Sequence, residues 1–475
     1  MKRKIVSLLL TLVISLTLIP SPPASALTWG DYEYELLDNQ VTILRYLGTD
    51  RDIVIPSSIK DKPVTKIGSY GAFGYSVLSG RGVSKEVREA IRSVTIPSTV
   101  TDMSGHGIFE GCVNLTSVII PNSVTVLGNG IFRGCTSLEY VELPDSITSI
   151  GSGVFRDCTS LANISFPSGI TEIPTGAGSV GFWEGCTSLT NVSIPYGVEI
   201  IGASAFSGCT ALTTVTLSAT VTAIDGSSFY GCTSLIDVNM NLGLKTIGNS
   251  AFGGCTSLKS VIIPITVKSI AYQAFGNCPI EEIIIPYGVE SINNSTFRLA
   301  NDKNSALVAV YLPSTILEKS MWGMYEDNYP NMISYAPEGS FVAKNCARWN
   351  RSYIIDNSCD SPIHVVYNGK RISFDVNPAV IDGRTMVPLR AIFETMGASV
   401  DWDANTQIVT AARGGTTISL AIGSNTLYVN GTAKTLDVPA QAIGGRTMVP
   451  ARAIAESFGA DVTWNGVGYI VFISE

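Results

Sequence analysis

Residues 186–206 read CTSLTNVSIPYGVEIIGASAF, and residues 112–132 repeat the pattern as CVNLTSVIIPNSVTVLGNGIF. The shared frame is C-x-x-L-x-x-V-x-I-P-x-x-V-x-x-I-G-x-x-x-F, and it recurs from about residue 53 to 312. Within one unit Leu189, Val192 and Ile194 have the spacing of an inward-facing strand, and Pro195, which cannot donate to a ladder, ends it. Val198 and Ile201 make a second inward ridge, and Phe206 fills the turn before Cys209. No unit of this length can bury its apolar residues alone. A 23-residue period therefore predicts a mainly β solenoid, in which about ten stacked units share one core and each contacts only its neighbours.

Cys112, Cys135, Cys158, Cys186, Cys209, Cys232, Cys255 and Cys278 mark the period, with one interval of 28 instead of 23. Equivalent positions on strands about 4.8 Å apart point their Cβ atoms in parallel, whereas a disulfide needs them about 3.8 Å apart and facing. Buried free thiols are expected. Cys346 and Cys359 stand outside the ladder, and the sequence leaves open whether they pair.

The departures from the period are also informative. An insertion between Tyr75 and Arg92 carries a helix-compatible stretch at 84–91, and a Gly-rich insertion at 175–181 accounts for the longer interval. Ser218 and Asn241 replace the strand-ending proline in two units. Ahead of the solenoid, 32–36 and 41–46 flank Asp38-Asn39 and predict a capping hairpin. Behind it, 340–350 predicts an amphipathic capping helix with Phe341, Val342 and Cys346 or Trp349 inward.

A second repeat begins beyond a linker at 356–362, offset by 62 residues. Asn368-Gly369 matches Asn430-Gly431, a strong hairpin signal, and the run from Gly383 to Pro388 matches Gly445 to Pro450. Helices at 389–396 and 451–458 follow, with each Pro at the first helical position and Gly397 or Gly459 at the end. Strands bearing Trp402 and Trp464 close the units, which predicts a small α+β domain of two hairpin-helix-strand halves. Arg384, Arg390, Arg446 and Arg452 repeat with the duplication. They are expected to support the loop before each helix, through carbonyls or a helix-borne Glu394 or Glu456, and an anion or glycan site is the alternative.

Residues 30–355 resemble the BspA-like, or treponemal-type, bacterial leucine-rich repeats, whose units carry the same Leu-x-x-Val/Ile-x-Ile/Leu-Pro core, Ile-Gly, Ala-Phe and Cys. The resemblance implies a leucine-rich-repeat solenoid on a surface or secreted protein, several of whose relatives act as adhesins. Residues 363–475 resemble the domain named after the N-terminal region of copper amine oxidases, also called a stalk domain. That name does not bring copper with it. The oxidase's metal belongs to another domain rich in histidine, and this chain has only His106 and His364, far apart in sequence.

The first 26 residues read as a signal peptide: Lys2, Arg3 and Lys4, an apolar run over 5–19, then Ala24-Ser25-Ala26. No later stretch is long enough to span a membrane, so no transmembrane anchor is expected after cleavage. The expected organisation is leader 1–26, capping hairpin 27–52, solenoid with its C-terminal cap 53–355, linker 356–362 and duplicated domain 363–475. The formal charge of -8 becomes -11 once the three leader cations are removed, which argues against nucleic acid as a partner.

Two histidines cannot supply a His-dependent triad here, and Glu142, Asp237 and Glu282 lie on different rungs, so no catalytic, cofactor or metal residues are expected. The expected functional surface is the outward strand face, with Tyr140, Glu142, Asn163, Asn191, Asp237, Asn239, Ile262, Glu282 and Ile284 as its candidate binding residues. The Tyr140 end and the Ile262 to Ile284 end are where binding energy is expected to be easiest to find. These features predict a secreted or cell-surface binding protein, free or wall-associated, whose solenoid engages a protein or glycan and whose C-terminal domain serves attachment or assembly. A cell-envelope scaffold or stalk without a dedicated ligand is the alternative.

Overall fold

The computed structural model describes residues 26–68, 71–76, 81–174, 181–293, 295–297, 307–317, 332–348 and 351–475. Nearly all of the expected leader, residues 175–180 of the Gly-rich insertion and Trp349 lie outside the described residues. The strands Tyr32–Leu37 and Gln40–Tyr46 form the predicted cap. Their turn places Asp38 at φ 50° and Asn39 at φ 66°, the left-handed pair whose twist suits a two-residue hairpin. Leu27–Trp29 extends the hairpin on its outer side, and Gln40–Tyr46 pairs in parallel with Lys62–Ile67 to start the stack.

The solenoid has about 11 turns. Each contributes to two parallel ladders. The first holds the Val-centred strands, such as Asn191–Ser193, Thr214–Thr216 and Asp237–Asn239. The second holds the Ile-Gly ridge, such as Ile200–Ile201, Ala223–Ile224 and Thr246–Ile247. Ladder pairing on the first face is absent at 140–142, 163–165 and 260–262. At the first gap the Leu143 N–H donates to the Ser165 hydroxyl at 2.9 Å, so a side chain does what the backbone carbonyl does elsewhere.

The consensus aromatic position builds a column along the stack, from Tyr46, Phe73 and Phe109 to Phe252, Phe275 and Phe297. Neighbouring ring centroids lie 5.0 to 6.4 Å apart, and the extremes are both at Trp183, which takes the Phe position in the unit after the longer interval. Burial of one such ring contributes about 1.5–3 kcal/mol, so this column is a large share of the core. Beside it runs the cysteine ladder. Every cysteine is a free, buried thiol, and each repeat thiol donates to the aromatic carbonyl one rung back, as Cys232 does to Phe206 at 3.2 Å. Burial pushes the Cys232 thiol up to about 12, so the ladder is unreactive packing material.

Ser218 and Asn241 show how the missing prolines are replaced. The Ser218 hydroxyl donates to the Pro195 carbonyl at 2.8 Å, and the Asn241 amide donates to Val221 at 3.1 Å. The helix in the first insertion forms as Lys85–Ala90, capped by Ser84, and the terminal cap helix as Phe341–Arg348, with Val342 and Cys346 buried and Phe341 half-buried against the core. Cys346 sits in the solenoid core and Cys359 in a separate cluster with Ala309 and Tyr311.

The duplicated domain has three sheets and two helices, Leu389–Thr395 and Ala451–Ala455. At the centre Arg384–Pro388 lies antiparallel to Arg446–Pro450, with Val387 opposite Val449 and Met386 opposite Pro450. Pro388 and Pro450 thus end strands and stand at the N-caps, one position ahead of the place expected from helix-start preferences. The halves also exchange parts. The hairpin of the first half, His364–Tyr367 with Lys370–Ile372, joins the Trp464 strands of the second, and the chain's first and last strands here pair in parallel. A strand outside the duplication, Thr416–Ala421, lies between Ile408–Arg413 and Thr426–Val429 to connect the reciprocal set.

The stretch 356–362, expected as a linker, is instead a structural junction. Residues Asn357–Asp360 form a 3-10 turn, and Asp356 is buried. The Arg371 guanidinium donates to Asp356 at 2.6 Å, to the Ser358 carbonyl at 2.7 Å and to His364 Nδ1 at 3.1 Å, and lies 4.7 Å from the Tyr311 ring centroid on the last rungs. A buried ion pair is tolerable only when its remaining donors and acceptors are satisfied, and the serine hydroxyls of 358 and 373 complete Asp356. Ser314 N–H to Asp360 at 2.7 Å and Ile265 N–H to the Val467 carbonyl at 3.2 Å add two more ties to the solenoid.

Candidate binding surfaces

The ladder register sets the outward strand face. Asn191, Thr214 and Asp237 form one column, and Ser193, Thr216 and Asn239 the next. Asn191, Asp237 and Asn239 are exposed, and the Asn239 amide donates to Asp237 at 3.0 Å. This part of the face offers alternating donors and acceptors on a regular backbone. Glu142 and Asn163 are exposed as well, and Tyr140 is 50% exposed, but these three lie on the rungs where ladder pairing is absent. Ile119, 73% exposed one rung earlier, extends the apolar area at the Tyr140 end.

The other end of the face behaves differently from the expectation. Ile262, Glu282 and Ile284 are half-buried, Ile262 beside Gly468 of the C-terminal domain and Glu282 beside its Lys370 and Arg371. Ile284 packs against the cluster of Ala309, Tyr311 and Cys359. A Cβ built on Gly468 would stand 2.5 Å from Cγ2 of Ile262, so the domain's last loop presses on that rung. Burial raises the Glu282 carboxyl above its ordinary range against the opposing pull of Lys370. The apolar area that made this end look like a docking site is occupied by the chain itself.

The four repeated arginines divide into two kinds. Arg390 reaches Glu394 at 3.4 Å and Arg452 reaches Glu456 at 3.8 Å, the helix-borne partners expected. Arg384 and Arg446 instead cross to the opposite half: Arg384 bonds Asp437 at 2.6 Å and Arg446 bonds Asp375 at 2.7 Å. The hydrogen bond from Arg446 holds the Asp375 carboxyl below its usual range. These crossed pairs wall two grooves of about 740 and 650 Å³. Trp402 lines the first and Trp464 the second, 42% and 44% exposed. In the sequence both tryptophans mark strands, and neither aspartate stands out as a site residue. The signal was present in the 62-residue offset, which relates Asp375 to Asp437 as it relates Trp402 to Trp464.

No residue set here suits copper. The duplicated domain holds a single histidine, His364, whose burial pushes it down to about 3 and whose Nδ1 accepts from Arg371. Among the described residues no group of three or more His, Cys, Asp or Glu is placed to hold a metal ion, and no helix is long and apolar enough to cross a membrane.

Comparison with known families follows the same division of the chain. The family model "BspA type Leucine rich repeat region" matches over 87–179 and 178–303, in six copies. Residues 87–303 are a BspA-type leucine-rich-repeat region. The model "Copper amine oxidase N-terminal domain" matches 366–473, so the repeat region is followed by that domain, with 62 residues, 304–365, between the two matches. No curated protein matches the chain. Among solved structures, a T. pallidum leucine-rich-repeat protein is 28% identical over 49% of this chain and 90% of its own, with a TM-score of 0.33. A leucine-rich cell surface protein of Faecalibacterium prausnitzii is 23% identical over 68% and 97%, with a TM-score of 0.35. The pneumococcal vaccine antigen PcpA is 18% identical over 70% and 99%, with a TM-score of 0.42.

Proposed function

We propose that this BspA-type protein is a non-catalytic, secreted or cell-surface binding protein. The outward strand face of its central rungs engages a protein or glycan, and the duplicated domain serves attachment or assembly. The observation that carries this reading is the asymmetry of the strand face. Its polar centre, at Asn191, Asp237 and Asn239, is open to solvent, while its apolar terminal end is closed by the junction at Cys359 and by the C-terminal domain at Gly468. A solenoid presents such matched positions along a continuous surface, which suits an extended partner. The basic, apolar and small-residue segments of 1–26 support export.

The test is a protein and glycan array probed with the full secreted chain and with the double variant D237A/N239A. Saturable binding that falls at least tenfold in the variant is the expected outcome. A chain without a saturable partner on either array overturns the reading in favour of a scaffold without a dedicated ligand.

A further inference from the structure

We infer that the duplicated domain carries two glycan-binding grooves, each receiving a pyranose ring against its tryptophan. The inference rests on the proposed attachment role of this domain and names the chemistry by which it would attach. Each groove is built across the exchange: the first takes Asp375, Arg390, Glu394 and Trp402 from one half and Arg446 from the other. The second takes Asp437, Arg452, Glu456 and Trp464 with Arg384 from the first half. A single half therefore contains no complete groove.

Three observations point to a sugar. Each groove balances two guanidinium groups against two carboxylates, so a charged ligand would find no net attraction there. A polyol, however, presents hydroxyls that both donate and accept, and paired Arg and Asp side chains offer both functions side by side in fixed planar geometry. The half-exposed indole supplies a flat apolar wall, the complement of the C–H face of a pyranose, within a concave site of the size small ligands occupy.

The third observation is what the duplication kept. Apart from turn glycines such as Gly369 and Gly431, exposed positions outside the grooves have diverged between the halves, as with Ser399 and Asp461 or Lys370 and Thr432. The charged and tryptophan residues of the grooves have not, since Asp, Arg, Glu and Trp recur at the same offset, while uncharged lining positions such as Val380 and Ala442 differ. Stability does not account for that retention, because half-exposed ion pairs such as Arg390 with Glu394 contribute at most about 1 kcal/mol. The grooves also differ in one respect. Tyr469 stands edge-on to Trp464 at 5.6 Å and lines the second groove, giving it the longer aromatic wall.

The experiment is co-sedimentation of the full chain, without residues 1–26, with purified peptidoglycan sacculi, with cellulose and with chitin. The first represents the envelope as the source of the glycan, the others the surroundings. Retention on at least one is expected. W402A or W464A should weaken it about tenfold, which is about 1.4 kcal/mol, with W464A the more severe. Two linked sites reinforce each other by roughly 10²–10⁴, so W402A/W464A should abolish retention while W402F/W464F keeps part of it. Circular dichroism confirms that each variant is folded. A parent chain that sediments with none of the three polysaccharides overturns the inference, even if cell fractionation still finds it on the wall. Undiminished retention of the folded W402A/W464A protein also overturns it, and in that case attachment survives without the grooves.

Discussion

The molecule repeats itself twice, by two different operations, and the two kinds of repeat preserve different things. In the solenoid, successive units are stacked by translation, and what recurs faces inward: the aromatic column, the thiol ladder and the Leu, Val and Ile of each rung. The outward positions drift from Ser117 to Tyr140 to Asn163 to Asn191. In the C-terminal domain the halves face each other across Val387 and Val449, and several recurring residues face outward, among them Trp402, Trp464 and the four arginines. Translation makes each unit the neighbour of its own copy, so the shared requirement is packing. Exchange makes each half complete the other's groove, so part of the shared requirement lies on the surface.

The sharpest challenge to this contrast is Phe229→Ala in the middle of the aromatic column. Removing a fully buried ring between two stacked partners should cost about 4 kcal/mol, read by denaturant unfolding. A loss under 1 kcal/mol would mean the column is not the element the translation preserves. Asp356→Ala tests the junction between the two repeats. It leaves Arg371 buried without its carboxylate and should cost about 3 kcal/mol, separating the unfolding of the C-terminal domain from that of the solenoid. A single unshifted transition would show that the two units are not tied there.

Acid probes the same junction more gently. His364 is held neutral at about 3 instead of 6.5, so between those values the unfolded chain binds a proton that the folded chain does not. Its contribution is complete above pH 6.5 and is lost as pH falls, by about 1.4 kcal/mol at pH 5.5, one unit below the unfolded value. Asp356, held below the carboxylate range despite its burial, adds loss in the same direction only at lower pH. His364→Gln should flatten stability between pH 7 and 5.5, and an unchanged slope would place the titration elsewhere. The smallest effect belongs to the grooves: Arg390→Ala should change stability by less than about 0.5 kcal/mol, since its pair with Glu394 is half-exposed. A larger loss would make the groove arginines structural and weaken the contrast.

Much of the solenoid was legible because its information is local and redundant. One 23-residue frame read in several copies separates inward from outward positions, identifies the thiols as packing groups, and marks Asp38-Asn39 as a hairpin turn. The candidate binding face was legible only as a list of outward positions. Which of them stay open depends on what packs over the last rungs, and the covering of Ile262, Glu282 and Ile284 comes from residues as distant in sequence as Gly468.

By itself, then, the sequence determined the period, the core, both caps and the existence of a duplicated domain, because each follows from side-chain size and polarity within a short window. Only the tertiary structure decided that 356–362 is a buried junction, since the partner that makes Asp356 tolerable is Arg371, on a strand of the next domain. It also decided that the halves exchange. The pairing of Arg384 with Asp437 and of Arg446 with Asp375 depends on strand partners far apart in the chain, and a charge pattern alone does not say which of several carboxylates an arginine will reach.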